Sequence, residues 1–288
     1  DTRTWERTVV AEGPAAGWGE HELAEPLAVE VAAADGAVLH ARLYAADDPD
    51  GRLIVWLHGG PTDQWQVAFM PRLAYWRSRG WSVLVPDHRG STGHGRDYQQ
   101  ALRGQWGIVD VDDTVAFTAA AHRHGWGVPA RTAIIGGSAG GFTALGALAR
   151  RRGLYAAAVL LYPVTDCDLD RASYATNGKG YLLEVDTMRW FWDQYCPDPA
   201  ARKDSKASPL RAANLGNLPP ALIVTAEFDP LRDEGEAYGR ALQAAGNKAE
   251  ICRYDGLVHD FFATAQLFSS TRAAFETICG KLRQALST

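Results

Sequence analysis

The chain has 288 residues, 47% hydrophobic and 22% charged, with a formal net charge of -5. That length and composition fit one large α/β domain over residues 1–288, with a sizeable apolar core. The negative balance argues against nucleic acid or an anionic membrane surface as the main partner, and no apolar run reaches the ~18 residues that span a bilayer.

Residues 1–27 read as irregular, broken by Gly13-Pro14, Gly17, Gly19 and Pro26, with Trp5 and Trp18 expected to pack. Alternating patterns over 28–33 and 38–44 predict an antiparallel hairpin. Residues 53–57 and 82–86 are short continuous apolar runs, the form of strands buried on both faces of a parallel sheet. A helix is expected over 67–79, ending near Gly80. A second spans 109–122, with Asp110, Asp112 and Asp113 in its first turn, where the positive end of the helix dipole favours them. Residues 132–135 read as a strand, 142–151 as a small-residue helix and 156–162 as the next strand. From 166 to 217 the β/α alternation stops. This stretch is Trp-rich and helical in places, which suits a lid inserted after a core strand. Strands over 221–225 and 249–254 resume the alternation, with helices expected over 234–245 and 271–285. The pattern is that of an α/β fold with a mostly parallel sheet and helices on both faces.

Chemistry concentrates at Gly136-Gly137-Ser138-Ala139-Gly140-Gly141, between a strand and a helix. This is the form of a nucleophile elbow. The serine sits on a strained turn, and side chains at the flanking positions would collide with the neighbouring strand and helix. The next N–H, that of Ala139, opens a helix and is placed to donate to an oxyanion. A serine needs a base and an orienting acid, which in this arrangement follow in the order Ser, Asp/Glu, His. Asp229 stands just past the strand of residues 221–225, whereas Asp233 falls in the next helix, so Asp229 is the expected acid. Of eight histidines, His21 and His40 are far from any strand end of the core. His122 and His124 close a helix and read as solvated. His88 and His94 lie in a glycine-rich loop as candidate pocket residues, and His58 reads as a brace for Gly59-Gly60. His259, on the loop before the last helix, has the right order and place for the base.

These residues carry a family resemblance. Residues 222–262, with T-A-E-F-D-P-L-R-D-E-G and then V-H-D-F, resemble the hormone-sensitive-lipase-type esterases, as do residues 180–195. His58-Gly59-Gly60-Pro61-Thr62, the run 87–95, Arg103-Gly104-Gln105-Trp106-Gly107 and residues 110–113 resemble the catalytic domain of prolyl-oligopeptidase-type peptidases. Together the matches cover about residues 50–285. The resemblance implies an α/β-hydrolase fold with an inserted helical lid, a Ser138-Asp229-His259 triad and an oxyanion hole. Two departures stand out. The esterases usually have a third glycine where this chain has Pro61, which has no N–H, so the oxyanion donors are expected at Gly60 and Ala139. They also usually have glycine after the histidine, where this chain has Asp260. That carboxylate beside the base would favour the imidazolium and a cationic substrate; pairing with an arginine is the alternative. The peptidase group usually carries a propeller, which this chain does not encode.

The expected activity is hydrolysis of a small carboxylic ester through an acyl-enzyme. An amidase or aminopeptidase, or acyl transfer at the same site, stays open. A non-catalytic binding protein would need a broken triad, and all three members are present. Trp190, Phe191 and Trp192 cannot all face inward on one helix. They are read as an aromatic wall for an acyl group, with Trp190 and Trp192 as the substrate-binding residues; the alternative is that two of the three are core and one is partly exposed. Asp166, Asp168 and Asp170 read as a solvated face, with recognition of a cation as the alternative. Cys167, Cys196, Cys252 and Cys279 show no C-x-x-C spacing and read as free thiols in a reducing compartment. No H-E-x-x-H or P-loop occurs, so neither metal nor cofactor is implied. The opening residues lack a basic-then-apolar leader pattern, and the expected location is the cytoplasm. A homodimer is left open.

Overall fold

A computed structural model describes residues 25–264 and 268–286. Trp5, Trp18 and His21 lie outside those residues. The sheet has eight strands in the order β1-β2-β4-β3-β5-β6-β7-β8. β1 (Leu27–Ala32) and β2 (Val38–Tyr44) form the expected hairpin, and β2 joins β4 antiparallel. β3 (Leu53–Leu57), β4 (Ser82–Asp87), β5 (Thr132–Gly137), β6 (Ala157–Leu161), β7 (Ala221–Phe228) and β8 (Ala249–Val258) pair in parallel.

The apolar runs fold this way because both faces of the sheet are covered. On β3, Leu53, Val55 and Leu57 enter one core, with Phe117, Leu145, Leu148 and Tyr238 from α3 (Val109–Arg123), α4 (Ala139–Arg150) and α7 (Arg232–Ala244). Ile54 and Trp56 enter the opposite core, with Trp76, Ile278 and Leu282 from α1 (Pro71–Arg77) and α8 (Ser269–Leu286). The alternation is the period-2 geometry of a strand. A short α2 (Arg96–Gln100) follows the glycine-rich loop. No helix among the described residues is long and apolar enough to cross a membrane.

Three expectations need correction. The helix expected over 67–79 begins only at Pro71, which takes its first position, and Met70 before it is extended. Proline disfavours helical backbone in the preceding residue, so the helix starts there. The acids at the start of α3 do more than face its dipole. Asp110 is buried and accepts from the Gly107 N–H and the Thr143 hydroxyl, while Asp113 pairs with Arg89. The run Asp166, Asp168, Asp170 is not simply a solvated face either. Asp166 is buried and holds Arg171 at 2.7 Å and Arg211 at 2.6 Å.

Residues 162–220 separate β6 from β7 and contain α5 (Ala172–Asn177) and α6 (Val185–Tyr195). Their apolar face, with Tyr174, Met188 and Trp192, closes on Leu231 before α7. The polar seat is the first turn of α7. Glu234 accepts from the Thr165 N–H at 2.8 Å and the Tyr174 hydroxyl at 3.0 Å, and Asp233 accepts from the Ser173 N–H at 2.8 Å.

Candidate active site

Ser138 stands between β5 and α4 with φ 54° and ψ -121°. A non-glycine residue held there costs about 1–3 kcal/mol, and the surroundings must enforce it. They do so through close packing: a Cβ at Gly136 would strike the Gly140 carbonyl, and one at Gly140 would strike the His58 carbonyl. The Ser138 N–H donates to Leu161 at 2.9 Å, tying the turn to β6. Ala139 is the first residue of α4, so no carbonyl of its own helix reaches its N–H.

Asp229 follows β7 directly and is fully buried. β8 runs to Val258, past the expected 249–254, with a register shift opposite Ala226 and Phe228. His259 therefore follows its strand at once. Its Nδ1 is 2.8 Å from Asp229 Oδ2, and its Nε2 is 3.1 Å from Ser138 Oγ. With the Nδ1–H donating to the carboxylate, Nε2 is left to accept from the serine hydroxyl. The second oxygen of Asp229 accepts from the Leu231 N–H at 2.9 Å. Burial lowers the imidazole pKa, but the Asp229 charge and hydrogen bond, with Asp260 adding to them, leave it raised above its ordinary value. Asp233 faces Arg232 and Ser173 instead.

His58 braces the Gly59-Gly60 turn, as its position predicts. Burial, with His88 stacked 4.8 Å away, pushes its pKa down to about 3. The neutral ring donates from Nδ1 to the Gly59 carbonyl at 2.7 Å and accepts from Ser91 at Nε2, also at 2.7 Å. A Cβ at Gly59 would lie 3.7 Å from Ser138 Cβ, so this turn runs beside the serine. Further along, Gln64 donates to Asp87 at 2.7 Å, and Arg42 donates to both Asp87 and the Trp65 carbonyl.

Two cavities of unequal size meet at Ser138. The smaller, about 50 Å³, is apolar, with Trp106, Phe142, Met188, Trp192 and Tyr195 in its walls and Gly60 and Ala139 at the serine end. The larger, about 580 Å³, carries His259 together with Asp63, Arg72, Tyr162 and Asp260. Phe191 and Leu183 line both.

The alpha/beta hydrolase fold family matches residues 97–263, more than half of the chain. The chain belongs to the α/β-hydrolase family. Ethyl acetate hydrolase of Pseudomonas putida is 32% identical over 275 residues, covering 88% of this chain and 80% of that one. The carboxylic ester hydrolase LipN of Mycobacterium tuberculosis is 38% identical over 193 residues, which is 62% of this chain and 50% of the relative. Among solved structures, the thermostable carboxylesterase EstE1 from a metagenomic library superposes with a TM-score of 0.74 at 30% identity, covering 91% of this chain and 90% of its own. A puromycin hydrolase reaches 0.75 at 28% identity, covering 92% of this chain and 40% of its own. Both resemblances read from the sequence are thus borne out.

Within this α/β-hydrolase, Ser138, Asp229 and His259 come together, with Ala139 and Gly60 beside the serine. The aromatic residues of α6 divide. Trp192 is 2% exposed and lines the smaller cavity, while Trp190 is 58% exposed and borders an outer hollow with Arg96, Arg103 and Trp106. Phe191, not among the substrate-binding residues expected from the sequence, touches both cavities. The signal was the helical period: Met188, Phe191, Trp192 and Tyr195 share one face, and Trp190 does not. Asp260 lines the larger cavity and receives the Tyr162 hydroxyl at 3.1 Å rather than an arginine. His88 and His94 line neither cavity. His88 is buried against His58, and His94 bonds Asp87 at 3.0 Å. His122 bonds Thr132 at 2.8 Å rather than facing solvent alone.

Proposed function

We propose that this hydrolase cleaves short-chain carboxylic esters through an acyl-enzyme on Ser138. The observation that carries this reading is the hydrogen-bonded line from Ser138 through His259 to Asp229, opening on two unequal cavities. His259 takes the proton from Ser138 as Oγ attacks the ester carbon, and Asp229 stabilises the resulting imidazolium. The N–H groups of Ala139 and Gly60 hold the oxyanion; losing one such donor costs on the order of 3 kcal/mol. His259 returns the proton to the departing alkoxide, and water then releases the acid by the reverse path.

The proton transfer assigns the cavities. A leaving oxygen must lie within reach of His259 Nε2, so the leaving group takes the larger cavity and the acyl chain the smaller. An apolar space of about 50 Å³ suits an acetyl to butyryl chain. The name of the Pseudomonas relative, ethyl acetate hydrolase, is consistent with that size. The name puromycin hydrolase raises amide cleavage as the competing class. An aminoacyl substrate would bring its ammonium to the acyl side, where no carboxylate among the described residues lines the cavity. The residues 166–217 act in this reading as the lid that closes the acyl side. A series of p-nitrophenyl esters from acetate to octanoate, run beside aminoacyl p-nitroanilides, tests it. Turnover should peak at or below butyrate. Faster cleavage of the anilides would replace the ester reading.

A further inference from the structure

The larger cavity holds an arginine that makes no ion-pair contact among the described residues, although the charge of Asp260 on the same cavity wall favours its guanidinium. Arg72, the second residue of α1, stacks its guanidinium 4.3 Å above Trp65 and 5.9 Å from Trp56. Among the described residues its one hydrogen bond is a weak one, from Nη2 to the Met70 sulfur at 3.3 Å. Its Nε is buried with no partner, and among the described residues it forms no ion pair. Several other arginines with little exposure or facing a buried acid are paired. Arg42 has Asp87, Arg89 has Asp113, Arg171 has Asp166 and Arg253 has Glu236. The cavity's own carboxylates make their hydrogen bonds away from Arg72, and Asp260 acts on it only at a distance. Asp260 receives Tyr162 beside the base, and Asp63, at the exposed rim, accepts from the Gln64 N–H. A desolvated guanidinium left unpaired is costly, and its planar fork is matched by a carboxylate. The two indoles fix its plane in advance, so little freedom is lost when such a partner arrives.

We propose that Arg72 receives a carboxylate carried on the leaving group, so that the preferred substrates are short-chain acyl esters of hydroxy acids. This rests on the assignment of the larger cavity to the leaving group. The reaction is unchanged in its balance: the Ser138 Oγ–acyl bond forms as the ester C–O bond breaks, and the Ser138 proton passes through His259 to the hydroxy acid. Water then releases the short acid. Arg72 touches only the remote carboxylate and acts on specificity.

The test compares 3-acetoxybenzoate with 3-acetoxybenzamide at neutral pH, in the wild type, Arg72→Met and Arg72→Lys. p-Nitrophenyl acetate turnover and fluorophosphonate labelling of Ser138 serve as controls. The wild type should favour the acid by roughly tenfold or more in kcat/KM, mainly through KM. Arg72→Met should abolish that preference while p-nitrophenyl acetate turnover persists. Arg72→Lys should keep part of it, since the charge remains and the fork is lost. A wild type that cleaves the amide as well as the acid overturns the proposal without any variant. So does an Arg72→Lys or Arg72→Met enzyme that loses acid and amide turnover in equal measure. If the wild type turns over none of the esters and Ser138 takes no label, the ester reading itself falls, and this one with it.

Discussion

Tyr162 donates its hydroxyl to Asp260 at 3.1 Å, one residue beyond the imidazole against which its own ring packs at 4.7 Å. Asp260 is therefore held close to the base although it does not touch it. Its backbone sits at φ 60°, a conformation asparagine also tolerates. Asp260→Asn keeps an acceptor for Tyr162 and removes the charge. Burial lowers the His259 pKa, Asp229 more than offsets that, and Asp260 pushes it further up. Without the Asp260 charge the pKa falls, and the neutral, active base persists to lower pH. The acidic limb of kcat/KM, which reports the free enzyme, should therefore move to lower pH. Profiles of p-nitrophenyl acetate hydrolysis for the two proteins check this. A limb that stays in place would show that the Asp260 charge does not reach the imidazole.

Asp229 and Asp233 lie on one loop-to-helix junction and do different work. Asp229 accepts from the imidazole Nδ1–H, and Asp233 accepts from the Ser173 N–H. Asp229→Asn should lower kcat by roughly 10⁴-fold with the fold intact, because the amide selects the wrong tautomer. Asp233→Asn should leave kcat near the wild-type value. Steady-state kinetics with circular dichroism on both variants decide it, and a larger loss in Asp233→Asn would reverse the assignment.

The elbow, the placing of Ser138, Asp229 and His259 after β5, β7 and β8 and the two cores on either side of the sheet were legible because each is written locally. Glycines mark the crossing at Gly136 and Gly140, where nothing larger fits, and continuous apolar runs mark strands covered on both faces. What escaped depends on partners distant in the chain. Asp166 reads as a surface acid until Arg211 is brought beside it. Arg72 reads as one of many arginines until Trp65 and the cavity lie around it. Trp190 drew attention by size, yet the helical period turns it outward and puts Phe191 at the junction of the cavities.

That division on α6 gives a contrast in size selectivity. Trp192→Ala opens the smaller cavity, so the preferred acyl chain should lengthen, at a cost of about 3–5 kcal/mol for a large side chain removed from the interior. Trp190→Ala should change stability by no more than about 0.5 kcal/mol and leave chain-length preference as it is. The p-nitrophenyl ester series with thermal melts measures both effects. Destabilised Trp192→Ala with unchanged selectivity would return Trp192 to a packing role alone.

Glu234 ties residues 165, 166 and 174 to α7 and is expected to make stability depend on pH. It is fully buried, and burial pushes its pKa up to about 8 although the Thr165 and Asp166 N–H groups and the Tyr174 hydroxyl all point at it. In the unfolded chain a glutamate titrates near ~4.3. The folded state thus binds the proton more tightly. The resulting stability is fully present below the unfolded pKa and is lost as pH rises through the folded one. Melting temperature should fall between about pH 5 and pH 9, by an amount worth a few kcal/mol at most. Glu234→Gln keeps the shape, keeps acceptors for the two N–H groups and does not titrate, so its melting temperature should vary less over the same range. Parallel curves for the two proteins would mean that Glu234 stays in one protonation state throughout. In that case its three donors, rather than burial, would control its charge.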